Sequence, residues 1–345
     1  MTRSLAAESR LPRGSARRTA VAVGRGGRYK LRLMAALRIV LVGQAAFGEK
    51  TLERLAAKHQ IVAVYTPPDA PGGKVDPLKA RAAALGVPVH QPRSMKTEEV
   101  YEQFKRHGAD LAVLAFVTLI VPDRVIALPR LGTICFHPSL LPLFRGGSAI
   151  NWQIIRGETK GGITVFWTDA GIDTGPILLQ QEIDIGSDET TGSFYYDKVF
   201  PAGVDGLERA VDAIAEGRAP RIMQDESRAS YDPLCRDEHV GIDWSRPARE
   251  IYDLVRGADP QPGAWVLHRG QKLRFYECRL AAGGRGEPGT LLAVGESGAE
   301  VALAGARLIA RRLRFGDSPK KVPPADLAAG GMIVPGDRLD AGRAS

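Results

Sequence analysis

The chain has 345 residues, 44% apolar and 25% charged, the make-up of an ordinary globular protein with room for two domains. No apolar run approaches the ~18 residues that cross a bilayer, and three cysteines (Cys135, Cys235, Cys278) at no metal-ligand spacing predict reduced thiols in a cytoplasmic protein. The formal charge of +8 belongs to residues 1–33, which hold nine Lys/Arg against one Glu, so residues 34–345 sum to zero and a nucleic-acid-binding body is not indicated.

That basic leader is rich in Arg, Ser and Gly and lacks the apolar core of a secretory signal. It reads as a disordered or transit-like tail, or as an over-long start with the functional chain beginning at Met34. Residues 37–43 then predict a parallel strand closed by Gly43, residues 49–59 a helix and residues 61–65 a second strand. This β-α-β order argues for a doubly wound sheet. The Gly43–Gly48 turn does not match G-x-G-x-x-G, and Thr66-Pro67-Pro68 stands where an acid would hold a ribose, so a nicotinamide dinucleotide site is disfavoured.

Further along, helices are expected over 77–85 and 97–106, an edge strand over 87–89 and a buried strand over 110–116. An apolar loop, 117–122, follows, suited to backbone hydrogen bonding to a flat ligand. Next come a central strand over 133–136, a helix over 148–156, strands over 163–167 and 177–185, and one long helix over 190–216. Residues 218–231 read as an extended connection. Past a composition break near 232–241, short strands between glycines (265–267, 273–277, 291–294, 300–303) suggest a small β-barrel. The end, from 317 to 345, reads as a loose tail.

Two stretches carry the chemistry. His137 closes the strand over 133–136, where Pro138 and Pro142 prevent the ladder from continuing. Asp173, 36 residues later, lies between Gly171 and Gly175 beyond another apolar strand. Imidazole shuttles protons near neutral pH, and a carboxylate beside it orients the ring or a water. A His and an Asp at two strand ends can meet in the crevice where open α/β sheets place ligands. Cys135 shares a strand face with His137, which leaves open a thiol nucleophile, a metal site, or a buried apolar cysteine.

His137-Pro-Ser-Leu-Leu-Pro142, Arg145-Gly-Gly147, Asn151-Trp152 and Gly171-Ile-Asp-Thr-Gly175 together resemble the formyltransferase family that uses 10-formyltetrahydrofolate. The resemblance runs from about residue 34 to about residue 315. Within the family, Gly43-Gln44, Phe47-Gly48, Lys74-Val-Asp-Pro-Leu78 and Ser148-Ala-Ile-Asn-Trp152 are most similar to the hydrolase domain of 10-formyltetrahydrofolate dehydrogenase. The aldehyde dehydrogenase domain that follows there is not in this chain, so no NAD(P) is expected, and no metal.

The resemblance implies a Rossmann-like, mostly parallel sheet with helices on both faces (34–232), followed by an OB-like barrel (238–316). It implies 10-formyltetrahydrofolate as formyl donor, its pterin against Leu119, Ile120 and Val121 and its formyl group near Ser139, Leu140, Leu141 and Pro142. His137 and Asp173 take the catalytic roles, supported by Arg145, Gly146, Asn151, Gly171, Thr174 and Gly175. The formyl acceptor (water, an amine or a tRNA) and the oligomeric state stay open. Cys135 stands where the family's transferases carry an Asn that holds the carbonyl oxygen. Loss of one such donor costs roughly 10²–10³ in rate, which tilts the expectation towards water or an unusual acceptor. A basic run of Arg307, Arg311, Arg312, Arg314, Lys320 and Lys321 is the feature that speaks for tRNA, as in methionyl-tRNA formyltransferase.

Overall fold

The computed structural model describes residues 36–342, together with two short strands, Ala20–Val21 and Arg32–Leu33, that pair antiparallel. The expectation of a disordered leader otherwise falls outside the described residues. Seven strands make the main sheet: β1 (Arg38–Gly43), β2 (Gln60–Tyr65), β3 (Val89–His90), β4 (Leu111–Ala115), β5 (Thr133–His137), β6 (Lys160–Trp167) and β7 (Ile177–Asp184). Their order is β3-β2-β1-β4-β5-β6-β7. Pairings from β3 to β5 are parallel, whereas β6 and β7 run antiparallel to their neighbours. The chain switches direction between β1 and β4, where such sheets open a ligand crevice.

Among the described residues, five helices of seven residues or more cover this sheet: α1 (Ala45–Ala56), α2 (Pro77–Ala84), α3 (Glu98–Arg106), α4 (Ala149–Ile155) and α5 (Phe200–Ala215). Alternate residues of each strand serve opposite cores. Ile39, Leu41, Val113, Ile134 and Phe136 pack with Phe47 and Leu52 of α1 and Leu207 and Val211 of α5. Val40, Val42, Ala112 and Leu114 pack on the other face with Val100 and Phe104 of α3. Burial on both faces is why these strands read as continuous apolar runs.

Two expected helices differ in the structure. The first begins at Ala45, because the Asp76 carboxylate accepts the Ala45 N–H (2.8 Å) and satisfies an end the sequence pattern leaves open. The long helix over 190–216 is interrupted by a π turn at Tyr195–Val199 before α5 begins. Pro201, in the first turn of α5, has no N–H to give the regular ladder, so the chain widens there.

The C-terminal domain consists of α6 (Ala248–Gly257), strands β8 (Trp265–His268), β9 (Gln271–Ala282), β10 (Leu291–Gly295), β11 (Gly298–Leu303) and β12 (Ala306–Phe315), and helix α7 (Pro324–Ala329). The strands form one antiparallel sheet, order β8-β9-β12-β11-β10. Most of the basic run is itself strand β12, with Leu308, Ala310 and Leu313 buried between the arginines. Residues 317–342 are not loose: Leu327, Ile333 and Leu339 are buried in this domain's core. Three apolar anchors in a Gly/Pro-rich background gave no periodic signal. The domains meet where Asn151 and Thr191 donate to Gly257 O, and where Arg256 donates to Gly186 O and Glu189 O.

At the junction, Asp237 bonds Arg274 and Lys272, and the Arg274 hydrogen bond above all holds its carboxyl down at about 2. A carboxyl depressed in the folded state stabilises above its unfolded pKa and loses that contribution as pH falls through the folded value. Asp237→Asn should therefore lower the urea midpoint at pH 7 but not near pH 2. Because the carboxylate is over a third exposed, the difference should stay within roughly 1 kcal/mol.

Candidate active site

Strand β5 places His137 at its carboxyl end, 4% exposed, and Pro138 stops the ladder there. Its Nε2 lies 2.8 Å from the Phe144 carbonyl oxygen, and its Nδ1 lies 3.5 Å from Asp173 Oδ2. Both ring nitrogens face oxygen acceptors. An imidazolium offers an N–H to each, whereas a neutral ring offers only one.

Asp173 does not arrive from a strand end beside His137, as the sequence suggests. Because β6 is antiparallel, Trp167 pairs with Ile134 at the opposite end of β5. Three residues of strand, about 10 Å, separate that level from His137. The loop after β6 closes the gap by arching back. It starts with the Thr168 N–H donating to Thr133 O (2.9 Å), and Asp169 Oδ1 then accepts from Gly171 N (3.1 Å) and Thr174 Oγ1 (2.6 Å). A Cβ on Gly171 would overlap Thr174, and one on Gly175 would overlap the Trp167 carbonyl, so both positions require glycine. Asp173 itself sits at φ +57°, a left-handed conformation that costs a non-glycine residue roughly 1–2 kcal/mol. Its Oδ2 accepts the Gly146 N–H (2.9 Å), leaving Oδ1 as the freer oxygen.

The connection after α5 wraps both loops, which the sequence reading missed. Ile222 pairs with Ile177 through two backbone hydrogen bonds (2.7 and 2.9 Å). Gln224 Nε2 then donates to the carbonyls of Asp173 (2.9 Å) and Gly175 (2.7 Å), while its Oε1 accepts from Arg145 Nη2 (2.8 Å). Arg145, buried, also donates twice to Glu226 (2.9 and 2.6 Å). Ser230 Oγ accepts the Phe144 N–H (2.7 Å), and Ser230 O accepts the Arg145 N–H (2.9 Å). This stretch has no periodicity; its clustered polar residues were the one available signal.

Of the residues expected in the site, His137, Asp173, Arg145, Gly146, Gly171, Thr174 and Gly175 come together. The Ser139–Pro142 turn, which follows His137 directly, is hydrogen-bonded inwards. Ser139 is 0% exposed and donates to Leu143 O (2.6 Å), and Leu141 N donates to Thr164 Oγ1 (3.1 Å). Leu141 and Pro142 are buried and Leu140 half-buried, so this turn shapes the His137 loop from beneath. Leu119 and Val121 are half-buried in the loop that follows β4, while Ile120 is 72% exposed. Asn151 lies away from the pair, bonding Gly257 O and Gln261 O across the domain junction.

Burial, then the Asp173 charge, push the Cys135 thiol well above its ordinary range. A thiol so held stays neutral, which removes it as a nucleophile. Among the described residues no three His, Cys, Asp or Glu side chains are grouped to hold a metal ion, and no helix is long and apolar enough to cross a membrane. Behind the His137 loop lies a cavity of about 290 Å³ lined by Phe116, Phe136, Pro138, Asn151, Tyr195 and Gln261 among others, none of them charged.

Comparison with known proteins fits this geometry. The Formyl transferase family matches residues 37–211, and the Formyl transferase, C-terminal domain, family matches residues 236–330. The cytosolic 10-formyltetrahydrofolate dehydrogenase of Xenopus laevis is 42% identical over 264 residues, 75% of this chain and 29% of that protein. This chain thus spans less than a third of that relative's length. A methionyl-tRNA formyltransferase of Geotalea daltonii is 37% identical over 309 residues, 88% of this chain and 98% of that protein. HypX of Aquifex aeolicus, solved in complex with tetrahydrofolic acid, shares the fold at TM-score 0.66 and 18% identity, covering 88% of this chain and 49% of that one. With both domain families matched in order and this identity to relatives, the chain belongs to the formyltransferase family.

Proposed function

We propose that this protein takes the formyl group from 10-formyltetrahydrofolate and passes it to water or a small amine, releasing tetrahydrofolate. The observation that carries this reading is the His137–Asp173 pair, held between two loops in a formyltransferase fold. The pterin lies against the backbone of Leu119, Ile120 and Val121, and the formyl carbon sits over the pair.

Nε2 of His137 is anchored to Phe144 O, so Nδ1 is the nitrogen turned to the substrate. An imidazolium N–H there polarises the formyl oxygen. Asp173 Oδ1 takes a proton from the attacking water or amine as the new bond to the formyl carbon forms. Collapse of the tetrahedral intermediate breaks the bond to N10, and Nδ1 gives N10 its proton. Return of that proton from Asp173 Oδ1 to His137 Nδ1 through solvent resets the pair; the Asp173 oxygen 3.5 Å from Nδ1 is Oδ2.

The neutral thiol of Cys135 is a weak donor where an oxyanion needs a strong one, which favours a small acceptor. The uncharged cavity beside Pro138 is consistent with that, since a phosphate-bearing acceptor needs cations. A second reading, methionyl-tRNA formyltransferase, is favoured by the full-length match to the Geotalea enzyme. Against it, three of the six basic residues in the C-terminal run are already paired: Arg307 with Glu300, Arg312 with Glu277 and Lys321 with Asp259. Tetrahydrofolate release should be followed with no acceptor, with small amines, and with Met-tRNA. Steady release without any acceptor supports hydrolysis; release only with Met-tRNA supports the second reading.

A further inference from the structure

Asp173 is a non-glycine residue in a left-handed conformation, in a loop whose outer face is open: Ile172 is 60% exposed. Asp169 braces the loop on itself through Gly171 and Thr174. Besides the His137 ring, 3.5 Å from the carboxylate, three groups among the described residues hydrogen-bond Asp173 and Gly175. Gly146 N–H holds the carboxylate, and the two N–H groups of Gln224 hold the carbonyls on either side of Thr174. Gln224 is itself fixed twice. Its segment is clipped to the first residue of β7 through Ile222, and its Oε1 is held by Arg145, which Glu226 grips with two hydrogen bonds. Arg145 in turn precedes Gly146, the residue that binds the Asp173 carboxylate. One buried amide therefore joins the loop carrying Asp173 to the loop carrying Gly146.

We infer that Gln224 is a positioning residue: it sets the spacing of Asp173 against His137, with Arg145 and Glu226 as its brace. Nothing in its chemistry lets it take part in proton transfer, and it acts only through Asp173. The inference rests on the proposed reading for its kinetic consequence, though not for its structural one.

The test uses the full-length protein with Gln224→Leu and with the near-isosteric Gln224→Glu, which keeps the acceptor for Arg145 but turns acceptors towards the two loop carbonyls. Both should lower kcat for tetrahydrofolate release about 10–100-fold, as displacing a reacting group by about 1 Å does, with the folate Kd within about threefold. In an Asp173→Ala background, followed by single turnover, neither should cost more than about twofold further, because the group being positioned is gone. Amide exchange of Gly146 gives a readout independent of activity: its protection should fall in Gln224→Leu, as it should in Asp173→Ala, which removes the acceptor of that N–H. An equal loss of kcat in both backgrounds, an unchanged kcat in wild-type background, or Gly146 protection retained in Gln224→Leu would each overturn the inference. Absence of turnover in the wild type would instead count against the proposed reaction, and the exchange measurement would still decide the role of Gln224.

Discussion

Replacing His137 by Ala is expected to lower tetrahydrofolate release by roughly 10²–10⁴-fold, the usual contribution of a positioned general acid. The folate Kd should stay within about threefold, because the pterin contacts assigned to Leu119–Val121 do not involve the ring. Stability should fall as well, because the buried Phe144 carbonyl loses its imidazole partner, which costs about 1–3 kcal/mol; the Phe144 N–H keeps its bond to Ser230 Oγ. A fall in kcat with unchanged Kd places the interaction in the transition state. A rise in Kd with unchanged kcat would make His137 a binding residue only.

Asp173→Asn is the second large effect, and it separates two roles. Asparagine tolerates the left-handed conformation at φ +57° and retains an oxygen for the Gly146 N–H, so the loop should keep its shape. It cannot take a proton from water or an amine. If Asp173 is the proton acceptor, Asn and Ala variants should both lose about 10²–10⁴-fold in kcat. Should Asn restore most of the activity that Ala loses, the carboxylate serves only to hold the loop. The losses at His137 and Asp173 should not add, since the pair exchanges one proton.

The sequence made the framework legible where burial is two-sided. β1, β4 and β5 show as uninterrupted apolar runs because helices cover both faces, and Pro138 marks the strand end that presents His137. The pairing of His137 with Asp173 was also readable, from two glycine-flanked or proline-broken strand ends. How they meet was not. Direction along β6 is set by pairing, and its apolar run reads the same parallel or antiparallel, so the arching loop and its left-handed Asp173 stayed hidden. The brace from Gln224 and Glu226 to Arg145 was invisible for another reason. It is made by side chains about 80 residues from their partner, in a segment without helix or strand period. For Ser139 the motif marked a place near the site, and the structure adds that its hydroxyl closes the turn beneath His137.

The most direct measurement of the central claim follows tetrahydrofolate release from 10-formyltetrahydrofolate by the wild-type protein, with His137→Ala and Asp173→Asn assayed beside it at saturating folate. Steady turnover by the wild type is expected, with near-complete loss in both variants and folate binding intact. Turnover by either variant at the wild-type rate would contradict the roles given to His137 and Asp173.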